Sequence, residues 1–394
     1  MRLHSAIRRT LIPLAASLAL SLAATGMALP ADAATPTGYH VAVDRLSAGE
    51  GVILLAPNSL LDNPAVPRLG TVAESSPAEL DVREPSGRLV ARHTLPRGVT
   101  AGNFQIQTLD GRPVYTWWQG QTGLGHGSGR YVVADRNFRT LHEFGLPAGA
   151  SGDIHEFRLL DGGRAAVTSY VPAHTVVGGV QVPVIDSRFY VVDVATGHVD
   201  VEWSSLAHVP VSRTVTALAI PGQGLDYFHI NSVFPDGHGN YLVSSRNTSA
   251  LYLVDGRTGG IRWTIGGKAS TLKVNPDATF GFQHDAEFTA GGSEIRVFDN
   301  DSGAPGTGRP SSILTIRPDF ATGRVSLVSR ITHPTHITAW AMGNAQQLSD
   351  GTVFGGWGTT GHVSAFDSRG QLVYDATLDS GQTTYRAFYY PQGI

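Results

Sequence analysis

Three histidines, His155, His229 and His284, open three consecutive segments of the same layout. A glycine-rich turn follows each after six or seven residues, at Asp161-Gly162-Gly163, Asp236-Gly237 and Gly291-Gly292. An imidazole is the side chain whose proton is exchanged most readily near neutral pH, so it can serve as nucleophile, general acid/base or metal ligand. The spacing alone leaves these roles open. Asn103 and Asn344 open two further segments with the same interval, turning at Asp110-Gly111 and Asp350-Gly351. Arg246, Asn300, Trp118 and Trp357 close the second strand of their segments, so they belong at the same end as the opening residues. Arg246, Asn300 and Asn344 are candidate polar contacts to a ligand. Trp118 and Trp357 are candidate faces for a flat ring, or simply packing between neighbouring sheets.

The clearest segment runs over residues 229–263. It reads as four short strands, with turns at residues 236–240 and at Asp255-Gly256-Arg257-Thr258-Gly259. Alternating apolar runs punctuated by Asp-Gly turns predict antiparallel hairpins. A four-stranded sheet cannot cover both of its faces alone, and the pattern recurs about every 40–50 residues. Six such units predict an all-β, six-bladed β-propeller of four-stranded antiparallel blades. The blades are expected over residues 40–100, 101–150, 151–208, 226–268, 280–332 and 340–380. Residues 209–225 and 269–279 read as connecting loops, 174–184 as a Val/Gly-rich insertion, and 385–390 as a strand closing the ring on the first blade. The first strand of a blade lines the central channel, so His155, His229 and His284 should share one mouth. His126, His142, His174, His198, His208 and His238 read as solvated turn or outer-strand residues.

Residues 1–33 read as a signal peptide: Arg2, Arg8 and Arg9, then an apolar run over 11–22, then Ala31-Asp32-Ala33. The apolar run is too short for a membrane span. The expectation is therefore a secreted protein with a single propeller domain over 34–394 and no membrane anchor. The chain holds 29 basic and 32 acidic residues; residues 1–33 carry three arginines and Asp32, which leaves 26 against 31. Such a mildly acidic chain is poorly suited to nucleic acid. It has no cysteine, hence no disulfides, and only two lysines, Lys268 and Lys273. No phosphate-binding Gly-Lys loop, zinc-protease motif or Gly-x-Ser-x-Gly elbow is present, and Ser270-x-x-Lys273 lacks its partner motifs. No cofactor and no metal ligand set are expected.

Several motifs, in order, resemble the arylsulfotransferase family of bacterial and fungal propellers. They are Trp117-Trp118-Gln119-Gly120, Asp153-Ile154-His155-Glu156-Phe157, His229-Ile230-Asn231-Ser232, Ser245-Arg246-Asn247-Thr248, Gln283-His284-Asp285-Ala286, Phe298-Asp299-Asn300, Gly343-Asn344-Ala345-Gln346, Gly356-Trp357-Gly358 and Tyr385-Arg386-Ala387. The resemblance implies sulfuryl transfer from a phenolic sulfate ester to a phenol, without a nucleotide donor, through a sulfated histidine. By motif it places His229 and His284 on the sulfate oxygens and makes Arg309, the nearest arginine after Phe298-Asp299-Asn300, their cationic partner. The nucleophile is expected downstream, with His362 first, then His336 and His333, and His155 after them. The disulfide of the better-known branch is absent. Two other readings stand beside this one: a non-catalytic secreted propeller that binds a small aromatic ligand or partner, and a metal-dependent hydrolase or lyase using the same ring.

Overall fold

A computed structural model describes residues 38–46, 51–59, 77–216, 218–289, 291–302 and 308–393. The expected signal peptide lies outside the described residues, as do residues 303–307 of the Gly/Pro-rich segment 301–310. The described strands form six antiparallel sheets, each with four strands at its core: a six-bladed propeller.

Each blade is built by the turn chemistry that the sequence repeats. Between the third and fourth strands of blades 3, 4 and 5, one Asp carboxylate caps the turn. Asp193 accepts from the backbone N–H of Ala195 and Thr196, Asp255 from Arg257 and Thr258, and Asp319 from Ala321 and Thr322. The glycine that follows, Gly197, Gly259 or Gly323, has φ of 73, 72 or 68°, a left-handed conformation that a Cβ disfavours. Apolar side chains then fill the seams. Between blades 2 and 3, Tyr131, Phe157, Val167 and Trp118 pack with exposures of 0%.

Inner strands are stitched to their neighbours by side-chain amides. Asn103 donates to the Ile154 carbonyl, Asn231 to Gln283 at 2.7 Å and Asn344 to Ala387 at 2.8 Å. Asn344 also accepts from the Ala387 N–H at 2.9 Å. These buried amides replace water for backbone groups that blade geometry leaves unpaired.

Closure uses both ends of the described chain. The inner strand of blade 1 is Gln382–Tyr390, paired with Val52–Ser59. The strand Tyr39–Asp44 is not part of blade 1, as its position suggested; it adds to the outer edge of blade 6 by pairing with Leu372–Leu378. The segment expected as a loop at 209–225 carries a short strand pair, Leu218–Ile220 and Gly224–Asp226, attached to blade 3. The Val/Gly-rich insertion is the tip of a long hairpin, Arg164–Val177 with Val180–Asp193.

Arg386 reaches across the axis from blade 1. It donates to Glu156 Oε1 of blade 3 at 3.0 Å, to the His155 carbonyl at 3.2 Å and to the Asn231 carbonyl of blade 4 at 3.1 Å. Its Nε lies 3.4 Å from Asp285 of blade 5. Burial opposes its charge, but Glu156 and Asp285 together hold its pKa above the ordinary arginine value.

Candidate active site

The inner-strand pairings that deliver Asn103, His155, His229 and His284 are irregular near the mouth, whereas that of Asn344 is regular. Register shifts lie between Gly102 and Gln105, between Ile230 and Ser232, and between His284 and Glu287. Asn103 and His229 sit there at φ of 55 and 58°. Such bulges turn side chains out of the strand's alternation and re-aim them.

His155 and His229 meet edge-on, with ring centroids 4.9 Å apart. Each is oriented by a buried aspartate through Nδ1. His155 Nδ1 is 2.5 Å from Asp153 Oδ1, and His229 Nδ1 bonds Asp226 Oδ2. A carboxylate on Nδ1 fixes the proton there and leaves Nε2 as the basic nitrogen. Burial drives the His229 pKa down to about 4, and the Asp226 charge only partly opposes this. The His229–Asp226 contact, although within ion-pair distance, is therefore a hydrogen bond from a neutral imidazole at neutral pH.

Two aromatic residues and a further histidine complete this side. His126 stacks on Tyr170 at 4.1 Å and shares Asp226 with His229, its Nε2 being 3.1 Å from Oδ2. The expectation that His126 is solvated is wrong: it opens the third strand of blade 2, after the Leu124-Gly125 turn, and is 8% exposed. The Tyr170 ring lies 5.3 Å from His155 and 5.5 Å from His229, and the Tyr385 ring 5.5 Å from His155. Asp226, Asp153, Tyr170 and Tyr385 were not singled out by spacing. Asp153 and Tyr385 lie in the family-like motifs, and the two aspartates also stand close to an inner histidine, at Asp153-x-His155 and Asp226-x-x-His229.

His284 is held differently. Nδ1 faces Asn300 Oδ1 at 2.8 Å and the Phe282 carbonyl at 3.2 Å, so Nδ1–H donates. Nε2 accepts from the Met342 N–H at 3.2 Å. Burial first, then the nearby Arg246 charge, holds its pKa well below the ordinary value. Asn300 thus orients His284; its own amide N–H donates to Ala339 at 2.7 Å and Met342 at 3.0 Å.

Arg246 is the cation of the site. Its guanidinium touches Asn247 Oδ1 at 3.0 Å and the Trp340 carbonyl at 3.4 Å and lies over the Phe282 ring at 4.9 Å. Among the described residues no carboxylate pairs with it. Burial lowers its pKa, and the distant Asp226 charge does not restore it.

The remaining expected residues lie elsewhere. Arg309 is paired with Asp301 at 3.0 Å and donates to the Thr279 carbonyl, whereas the arginine whose charge reaches His284 is Arg246. His362 contacts His333 and Asp375, not the ring of inner histidines. His336 is exposed on the segment after blade 5. Trp118 and Trp357 are fully buried; Trp118 donates to the Gly152 carbonyl at 3.0 Å, and Trp357 packs on Phe298 and His333. Both tryptophans pack between blades and offer no face to a ligand. Asn344 has its amide engaged by Ala387 and acts as a blade tie. A surface cavity of about 470 Å³ lies apart, with Ser270, Lys273 and Phe280 on its wall and no histidine, arginine or carboxylate.

Comparison with known proteins adds the family. The model of the family described as Arylsulfotransferase (ASST) matches residues 105–379. No curated protein matches the chain. Among solved structures, a protein of unknown function from Bacteroides caccae aligns at 14% identity over 84% of this chain and 94% of that one, with a TM-score of 0.49. The β-propeller domain of Cps50 (Swd1) from Myceliophteria thermophila aligns at 12% identity over 88% and 98%, with a TM-score of 0.42. The family match spans most of the chain, including all of the inner histidines: the chain belongs to the arylsulfotransferase family.

Proposed function

We propose that this propeller moves a sulfuryl group from an aryl sulfate ester to a phenol, without a nucleotide donor, through a sulfated histidine at the channel mouth. The observation that carries this reading is Arg246, a partly buried guanidinium with no carboxylate partner among the described residues, whose charge reaches His284 and whose backbone N–H donates to the His229 carbonyl at 2.9 Å. A desolvated cation left open is a receptor for an anion. A sulfate monoester supplies one negative charge and three acceptor oxygens. The Tyr170 and Tyr385 rings beside His155 supply flat walls for the aryl group.

His229 is the attacking residue in this scheme. Its low pKa keeps it a free base, and Asp226 on Nδ1 leaves the Nε2 lone pair to attack sulfur. The N–S bond forms as the S–O bond to the aryl group breaks, and the electron pair leaves with the phenolate. Asp226 then faces the positive sulfated imidazole. In the second half, the acceptor oxygen attacks sulfur and the N–S bond breaks. His155, with Asp153 on Nδ1, takes the acceptor's proton at Nε2 as the electron pair of the N–S bond returns to His229, and then releases that proton to solvent, which also protonates the phenolate expelled in the first half. The leader-like residues 1–33 support a secreted site of action.

The test is incubation with 4-nitrophenyl sulfate and increasing phenol acceptor. Parallel double-reciprocal plots and a sulfated acceptor are expected; release of free sulfate alone would make the protein a hydrolase. Quenching with labelled donor and mapping the peptide should place the label on His229. Label on His155 would exchange the two roles, and label on neither would refute the scheme. A metal-dependent hydrolase is the second reading, because the ligand atoms of His126, Asp226 and His229 lie within 4.8 Å of one another. Transfer that survives exhaustive chelation excludes it.

A further inference from the structure

A second histidine cluster lies at the seam between blades 5 and 6 and shares no residue with the channel mouth. His333 follows the outer strand of blade 5, Arg324–Thr332. His362 opens the third strand of blade 6, His362–Phe366, and Asp375 lies on the fourth, opposite Ser364. The two imidazole centroids are 5.6 Å apart with planes at 65°. One ligand atom from each of the three residues falls within 4.8 Å of the others.

The distances here differ in kind from those at the mouth. Asp375 Oδ1 is 3.3 Å from His333 Nε2 and 3.7 Å from His362 Nδ1. Both nitrogens are buried without a hydrogen-bond partner, and His333 is 1% exposed. A buried nitrogen left so is costly. Ligands about 2.0–2.1 Å from a tetrahedral ion stand about 3.3 Å from one another, close to the separations seen. Supporting contacts are also in place. His333 Nδ1 is 2.8 Å from Thr335 Oγ1, and Ser364 Oγ donates to Asp375 Oδ1 at 2.9 Å. The Thr335 N–H also faces Nδ1 at 3.2 Å; metal binding would select the tautomer whose Nδ1–H donates to the hydroxyl, freeing the Nε2 lone pair. Two imidazoles and one carboxylate suit zinc and its neighbours rather than calcium or magnesium.

We propose that His333 Nε2, His362 Nδ1 and Asp375 form a zinc-class divalent cation site that pins the end of blade 5 to blade 6. Water completes the coordination on the side where the His362 side chain is 27% exposed. The site is structural and separate from sulfuryl transfer.

Untagged full-length protein, stripped with EDTA, is titrated with zinc chloride by calorimetry and then melted with and without zinc. One equivalent should bind and raise the melting temperature. His362→Ala and Asp375→Asn should each weaken binding at least ten-fold and abolish the rise. His126→Gln, which alters the other histidine–aspartate group, should retain both. Asp375→Asn keeps the side-chain shape, and circular dichroism of each variant confirms folding. The proposal fails if wild-type protein takes up no zinc, or if uptake persists in His362→Ala and Asp375→Asn but is lost in His126→Gln.

Discussion

Two arginines, Arg246 and Arg386, belong to the central channel and are held in opposite ways. Arg386 is enclosed by Glu156, Asp285 and two backbone carbonyls, and its charge is reinforced by them. Arg246 has one side-chain amide and one carbonyl for company, and burial makes its charge less favourable. The first is a finished network in which each charge is answered. The second, among the described residues, is a charge that no carboxylate answers. Motif matching alone does not distinguish them, since both sit in family-like motifs; the partners do.

Removing each cation in turn tests this contrast. Arg386→Met leaves two buried carboxylates uncompensated and should cost about 3–5 kcal/mol, read as a large fall in melting temperature or loss of soluble protein. A variant as stable as wild type would mean the network is not needed for closure. Arg246→Ala should leave the melting temperature near that of wild type, yet lower kcat/KM for an aryl sulfate about 10²–10³-fold, the usual cost of losing one preorganised charge donor. Loss of stability without loss of turnover would reverse the assignment.

The histidines sharpen the same point with smaller effects. The folded pKa of His229, about 4, lies below its unfolded value of 6.5. Its neutral form is favoured by folding, so its contribution is complete above pH 6.5 and is lost as pH falls toward 4, by about 3 kcal/mol. Denaturant titrations between pH 7 and 4 measure this. His126→Phe keeps the stack on Tyr170 but removes one donor to Asp226; kcat should fall about ten-fold, the value of one charge-assisted hydrogen bond. Because the His126 charge also depresses His229, the acid limb of kcat/KM should move up in that variant. Smallest of all, wild-type kcat/KM at pH 5 should stay within about two-fold of its pH 7 value, where an unshifted histidine would lose about 30-fold. A limb near 6.5 would remove His229 from the nucleophile's role.

The propeller was legible because its signals are periodic. Asp-x-x-Thr-Gly turns and evenly placed Asp-Gly hairpins report local backbone geometry, and they repeat with the blade. The inner histidines were legible for the same reason, and the structure brings His155 and His229 into contact. What lay outside the period was misread. His126 looked like a turn residue, Asp226 sits at the end of a segment that looked like a loop, and Trp118 and Trp357 close mouth-facing strands yet turn into the seams. Register predicts which end of a strand reaches the mouth, but not which side of the sheet a bulged residue will face. Arg309 was chosen by distance along the chain, and a local carboxylate, Asp301, had already claimed it.

Among the described strands, the innermost strand of blade 1 comes last in chain order, after every strand of blades 2 to 6. Tyr385, which flanks His155, and Arg386, which braces the His155 and Asn231 carbonyls, both lie on it. Blade 1 therefore lacks its inner edge, and the mouth lacks Tyr385 and Arg386, wherever Gln382–Tyr390 is missing. A blade 1 deprived of this strand would be left with an exposed edge along Val52–Ser59, a form readily removed by proteolysis.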